Sequence, residues 1–260
     1  MMRNQWMLSP FFLDERVPAL EPLAESDWRV NLPELPDGNQ QARMSAVHRP
    51  LADLVTDAIA QGKRPVSIAG DCCTALGVLA GIQRVGLNPT LIWLDAHGDF
   101  NTWDTTPSGF LGGMPLAMMV GQGDLTMAEA VGLQPLAESQ VILTDARDLD
   151  PGERTRLHQS AVTHLPDVNA LRECSFVDTP LYIHFDTDIL RPEDAPAMKY
   201  LAPQGPSAAE LREVFAHLAH TSKIAAVSMT TWDPALDADG RSREICMSLL
   251  HALIEPLGGK

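Results

Sequence analysis

Leu91, Ile92, Trp93 and Leu94 form an unbroken apolar run, and the next five positions hold Asp95, His97 and Asp99. A short apolar run bounded by polar residues is what a strand buried on both faces of a parallel sheet requires. If the chain stays extended, Asp95, His97 and Asp99 recur at every second position and point the same way. Two carboxylates and an imidazole so confined repel and desolvate one another unless they share a cation. A second run, Leu181 to Phe185, ends on Asp186, Thr187 and Asp188 and repeats the pattern. Both ends can converge at the carboxyl edge of one sheet, where open α/β folds bind their ligands. Four carboxylates and a histidine exceed what one hard cation takes from a protein, so two bridged metal ions are the better count.

The segments around these runs alternate between strand and helix patterns. Trp6 to Leu13 is expected as a first or edge strand, and Val17 to Asn39 as a loop with little regular structure. Met44, Val47, Leu51, Leu54, Val55 and Ile59 recur at helical spacing and predict a helix over residues 40–61. Pro65 to Ala69 and a helix through Leu76 to Ile82 follow, then strands over Asn88 to Leu94, Val141 to Thr144, Leu181 to Phe185 and Ile224 to Met229. Helices are predicted from Pro151, from Ser207 (with Glu210 as its capping-box partner) and over about Arg241 to Ile254. Repeated βαβ units imply an α/β fold, a three-layer αβα sandwich with a central, mostly parallel sheet.

At 260 residues, 45% of them hydrophobic, one domain over the whole chain can bury a full core. The formal charge of −15 argues against nucleic acid or an anionic membrane surface as a partner and favours a small cationic substrate. No apolar run is long enough to span a bilayer, and the start, MMRNQWMLSPFFLDER, lacks the apolar core and cleavage site of a signal peptide, so a cytoplasmic location is expected. Cys72, Cys73, Cys174 and Cys246 show no disulfide-framework spacing, which fits a reducing compartment.

The segments AGDCC from Ala69, WLDAHGDFNT from Trp93, SGFLGGMPL from Ser108, ARDLDPGE from Ala146 and HFDTDILRPEDAPA from His184 resemble, in order and spacing, the motifs of the arginase or ureohydrolase family. The resemblance implies the three-layer fold and a binuclear manganese hydrolase acting on guanidino or formimidoyl groups. It implies that Asp95 and Asp186 bridge both ions, that Asp99 joins the first, and that His97 and Asp188 complete the second. Water shared by two cations loses a proton near neutral pH, and Asp99 is placed to accept its hydrogen bond. Cys72 takes the position of a family histidine. A thiolate there suits zinc, iron or cobalt better than manganese. Cys73 is expected to point away into the core.

The same resemblance sets the substrate expectations. Asn101, Thr106 and Ser108 match positions that hydrogen-bond a substrate α-carboxylate, and Asp150 and Glu153 match those that hold its α-ammonium. On its own, Asp150-Pro151-Gly152-Glu153 is also an ordinary acidic helix start. Gly112 stands where arginases carry a proton-shuttling histidine, and Thr231 where they carry a guanidinium-binding glutamate. Loss of a general acid costs about two to four powers of ten in rate. An N-hydroxyguanidine, less basic than guanidine, needs less of both groups, and Cys72 with the GFLGGM segment resembles the Nω-hydroxy-L-arginine amidinohydrolase branch, which releases hydroxyurea and ornithine. The alternatives are an arginase-like or formimidoyl hydrolase of other specificity, or a metal-binding amino-acid sensor. The chain reads as a monomer or small homo-oligomer, ending at Gly258, Gly259 and Lys260 without the longer tail of some trimeric relatives.

Overall fold

The computed structural model describes residues 2–177 and 179–255, so the Gly-Gly-Lys end lies outside the described residues. In chain order the elements are β1 (Arg3–Ser9), β2 (Phe11–Phe12), β3 (Glu15–Arg16), β4 (Arg29–Val30), α1 (Gln40–Ala60), β5 (Lys63–Ala69), α2 (Ala75–Arg84) and β6 (Thr90–His97). Then come α3 (Pro115–Met119), α4 (Thr126–Val131), β7 (Val141–Asp148), α5 (Pro151–Gln159), β8 (Thr163–Leu165), β9 (Pro180–Asp186), α6 (Ala208–Thr221), β10 (Lys223–Thr230) and α7 (Arg241–Ile254). Among the described residues, eight strands form one sheet in the order β4-β1-β5-β10-β9-β6-β7-β8, every neighbouring pair parallel. No helix among them is long and apolar enough to cross a membrane.

Strand alternation divides the apolar side chains between two cores. On β6, Leu91 and Trp93 enter the core beneath α1, α2 and α4 with Leu51, Val55, Leu76, Leu79 and Met127. Ile92 and Leu94 enter the opposite core beneath α6 and α7 with Leu211, Phe215, Leu218, Leu249 and Leu253. A run apolar at every position is thus what a strand covered on both faces needs. The helix over Gln40–Ala60 begins where Asn39 accepts a hydrogen bond from Ala42 N at 2.9 Å. The Ser207–Glu210 capping box forms as expected, with Ser207 N donating to Glu210 Oε2 at 2.8 Å.

The amino-terminal stretch differs from expectation in two ways. β1 is the first strand, one of the two expected alternatives, but it ends at Ser9, before Pro10, and the edge is β4, which pairs outside it through Met7 with Arg29 and Leu8 with Val30. The stretch from Val17 to Asn39 contains that short strand and a 3-10 turn at Pro18–Leu23. Asn31, buried, holds it down by donating through Nδ2 to Ser9 Oγ at 3.0 Å and Val47 O at 2.9 Å. Because the central strands β5, β10, β9 and β6 are parallel, their carboxyl ends meet at one edge of the sheet.

Candidate metal centre

Three of those strand ends turn by the same device. Asp71 Oδ1 accepts from Cys73 N at 2.9 Å, Asp95 Oδ1 from His97 N at 2.7 Å, and Asp186 Oδ1 from Asp188 N at 2.8 Å. An aspartate bonded to the backbone two residues on replaces the next ladder bond and bends the chain. The extended geometry expected for Asp95, His97 and Asp99 is therefore not what gathers them. Pairing with β7 loses register between Asp95 and His97, and Asp99 sits in the left-handed region at φ 50°. Thr187–Ile189 likewise forms a 3-10 turn.

The turns bring all six sequence-predicted ligands into one connected cluster. Cys72, Asp95 and Asp99 offer ligand atoms within 4.8 Å of one another, as do Asp95, His97 and Asp188, and as do Cys72, His184 and Asp186. Asp95 belongs to two of these groups, the placement a bridging carboxylate needs. His184 was not anticipated, although its two-residue offset from Asp186 in the YIHFD strand puts both on one face.

The four carboxylates are 1–6% exposed. Among the described residues, the basic side chain ion-paired to them is His97, whose Nδ1 lies 3.3 Å from Asp95 Oδ1 and 3.2 Å from Asp188 Oδ2. Burial, reinforced by neighbouring carboxylates, holds Asp99 and Asp186 well above the usual carboxylate range and raises Asp188 to about 6. Burial pulls His97 down, but hydrogen bonds and charge from Asp188 and Asp95 win and push it to about 12. Burial and the adjacent Asp186 push the Cys72 thiol up, and its Sγ donates to Asp186 Oδ2 at 2.7 Å. Among the described residues, buried Asp99 Oδ2 has no hydrogen-bond partner. An orphaned carboxylate oxygen inside an acidic cluster is a cost that divalent ions remove, and four carboxylates, an imidazole and a thiol are donors that fit a pair of them.

The five expected substrate contacts line the same pocket as Cys72, His97, Asp99, Asp186 and Asp188. Asn101 Nδ2 donates to Asp150 Oδ2 at 3.0 Å, Thr106 and Ser108 hydroxyls lie 3.4 Å apart, and Glu153 accepts from Phe100 N at 2.8 Å and Asp150 N at 3.2 Å. Burial raises Glu153 to about 7. Cys73 is fully buried against Leu111 O, as expected. Thr231, at φ 72°, donates its hydroxyl to Asp186 Oδ1. Phe12, Phe110 and Tyr200 form an aromatic wall, with Lys199 Nζ 3.7 Å above the Phe12 ring centre. Lys199 and Tyr200 lie in a loop that the sequence places near the pocket entrance without a role, and both line the pocket.

A sequence profile described as the Arginase family matches residues 22–255. The chain belongs to the arginase family. It is 34% identical over 197 residues to an N(omega)-hydroxy-L-arginine amidinohydrolase from Streptomyces lavendulae, covering 75% of this chain and 67% of that one. It is 28% identical over 243 residues to an arginase from Bacillus subtilis, covering 88% and 82%. The crystal structure of an arginase from Bacillus cereus superposes with a TM-score of 0.83 at 24% identity, covering 97% of this chain and 98% of that one, and shows the shared fold. The chain is thus a hydrolase of a family that generally depends on a binuclear metal centre and acts on small guanidino substrates.

Proposed function

We propose that this family member hydrolyses a guanidino-type C–N bond in an arginine-like α-amino acid, with Nω-hydroxy-L-arginine as substrate and hydroxyurea and ornithine as products. The observation that carries the reading is the contrast within one pocket: an acidic cluster at its floor, beside Phe110 and Gly112 where arginases carry a proton-shuttling histidine. The relative of that name supports the same choice.

Cys72, Asp95, His97, Asp99, Asp186 and Asp188 would hold two divalent ions, manganese or, given the Cys72 sulfur, a softer ion such as zinc, iron or cobalt. When bound, the ions supply a lowered proton affinity for nearby water and positive charge beside the scissile carbon. Asp99 Oδ2, free of protein partners, accepts the proton of the attacking water. The water oxygen joins the guanidino carbon, the bond to the side-chain nitrogen breaks, and that nitrogen leaves with the proton as the ornithine amine. Asp150 and Glu153 hold the α-ammonium, and Asn101, Thr106 and Ser108 orient the α-carboxylate. The Thr231 hydroxyl, in place of a carboxylate, gives a neutral contact suited to a weakly basic hydroxyguanidine.

Ornithine release from Nω-hydroxy-L-arginine and from arginine, compared at equal metal loading, tests the proposal. Release should be at least about a hundredfold faster from the hydroxylated substrate, the scale of one missing general acid. Equal rates would remove the specificity argument, and no turnover of any guanidino compound would favour an amino-acid sensor.

A further inference from the structure

A ladder of buried polar side chains runs beneath the acidic cluster. Tyr182, His184 and Asp186 share one face of β9, and Ser228 and Thr230 stand beside His184 and Asp186 on β10. Tyr182 OH and His184 Nδ1 each lie 2.8 Å from Ser228 Oγ. His184 Nε2 is 3.4 Å from Thr230 Oγ1, which is itself 3.2 Å from Cys72 Sγ. The imidazole is fully buried and stacks on Trp93 with ring centres 3.7 Å apart, while Trp93 Nε1 donates to Asp95 Oδ2 at 3.1 Å.

A histidine in this setting is costly as mere packing. Its ring could be replaced by a leucine or phenyl with no polar atoms to satisfy. Ser228 Oγ has two lone pairs and can accept from both Tyr182 and Nδ1–H. That leaves the Nε2 lone pair facing Thr230, Cys72 and Asp186, where a 3.4 Å contact is too long to use it well. An imidazole whose other ring nitrogen is fixed by a hydrogen bond is how ligating histidines are oriented.

We infer that His184 is itself a metal ligand, completing a Cys72–His184–Asp186 corner and returning from β9 the imidazole that position 72 lacks. The inference rests on the proposed binuclear site and adds to it a donor from inside the sheet. It makes the Cys72 substitution one half of an exchange. The softer sulfur enters at the turn, and the nitrogen donor moves beneath it, so one ion sees nitrogen, sulfur and oxygen together. That donor set matches zinc better than manganese.

X-ray absorption at the zinc edge of the full chain loaded with Zn2+ tests the assignment without any turnover measurement. The outer-shell scattering should show two imidazoles per bound pair of ions, from His97 and His184, and one sulfur. In His97→Gln one imidazole should remain, and in His97→Gln/His184→Gln none. One imidazole in the unaltered protein, lost in His97→Gln, would overturn the ligand role of His184 and leave the binuclear reading standing. Failure to bind zinc at all would overturn both. The unaltered protein decides the count even where a variant does not fold.

Discussion

The Phe110 ring stands where a side chain on Gly112 would begin: its Cζ would lie 2.5 Å from a Cβ at position 112, and Cε1 closer still. The missing histidine is therefore tied to a second residue two positions away. Restoring the imidazole requires that the phenyl ring leave. The ring in turn packs towards Phe12 and Tyr200, so the apolar wall and the glycine are one feature.

Gly112→His alone should lower unfolding stability by about 1–3 kcal/mol through overpacking. Phe110→Asn removes the ring, and in the double variant most of that cost should vanish. Urea unfolding of the two single variants and the double variant measures the coupling. A coupling below about 0.5 kcal/mol would mean the two positions are independent. Arginine turnover should rise in the double variant and not in Gly112→His.

The metal-free protein should become more stable as pH falls from 7 to 5. Burial raises Asp188 and Asp71 to about 6 and Glu153 to about 7, all above their unfolded values. A group with a raised folded pKa contributes stability that is complete below its unfolded pKa and is lost as pH rises through the folded one. The gain therefore lies in the window from about pH 4 to 7, and the buried imidazoles of His48 and His184, held down to about 3 by desolvation, subtract from it below their unfolded value of 6.5. Urea midpoints in chelator at pH 5 and pH 7 check it. Divalent metal should weaken the trend, because protons and cations compete for the Asp188 carboxylate and bound ligand at a hundred times its Kd adds about 2.7 kcal/mol where that carboxylate is ionised.

Cys72 Sγ lies 2.7 Å from Asp186 Oδ2 and lines the pocket. Cys72→Ser should weaken zinc more than manganese, since oxygen is the harder donor. Cys72→His should raise manganese affinity. Competition with a chromophoric chelator reads both. Unchanged affinities for both metals in both variants would make Cys72 a packing residue.

What the sequence makes legible here is what local period controls. Leu91–Leu94 and Leu181–Phe185 read as buried strands, and the acidic residues just past them as groups at the sheet edge. The means of assembly is not legible in the same way. Alternation predicts that Asp95, His97 and Asp99 align, whereas the aspartate-to-backbone bonds at Asp71, Asp95 and Asp186 turn the chain and place Asp99 at positive φ. His184 escapes notice because its meaning depends on lying beside Ser228 on one strand and Trp93 on another, a register no single segment encodes. The sequence leaves β1 as a first or edge strand because nothing in Arg29–Val30 advertises a strand two residues long.

Arg147 fastens the segment that brings Lys199 and Tyr200 to the pocket lining. Its guanidinium donates to Pro203 O at 3.0 Å, Ile189 O at 3.1 Å, Ala202 O at 3.2 Å and Asp188 O at 3.4 Å, and it pairs with the buried carboxylate of Asp145. A Cβ at Gly205 would lie 2.7 Å from its Nη2, so the chain passes directly against the guanidinium there. Removing the side chain strands Asp145 and four carbonyls together, and Arg147→Ala should cost about 3–5 kcal/mol, the scale for breaking a buried pair from one side. Arg147→Lys keeps the charge but replaces a five-donor planar fork with a point ammonium, so it should recover only part of that loss. The loop carrying Lys199 and Tyr200 would then open more often than the sheet beneath it, and limited proteolysis should cut within residues 195–205 faster in Arg147→Lys than in the parent. A lysine variant as protease-resistant and as stable to urea as the parent would show that the loop is held by its own packing and not by the guanidinium.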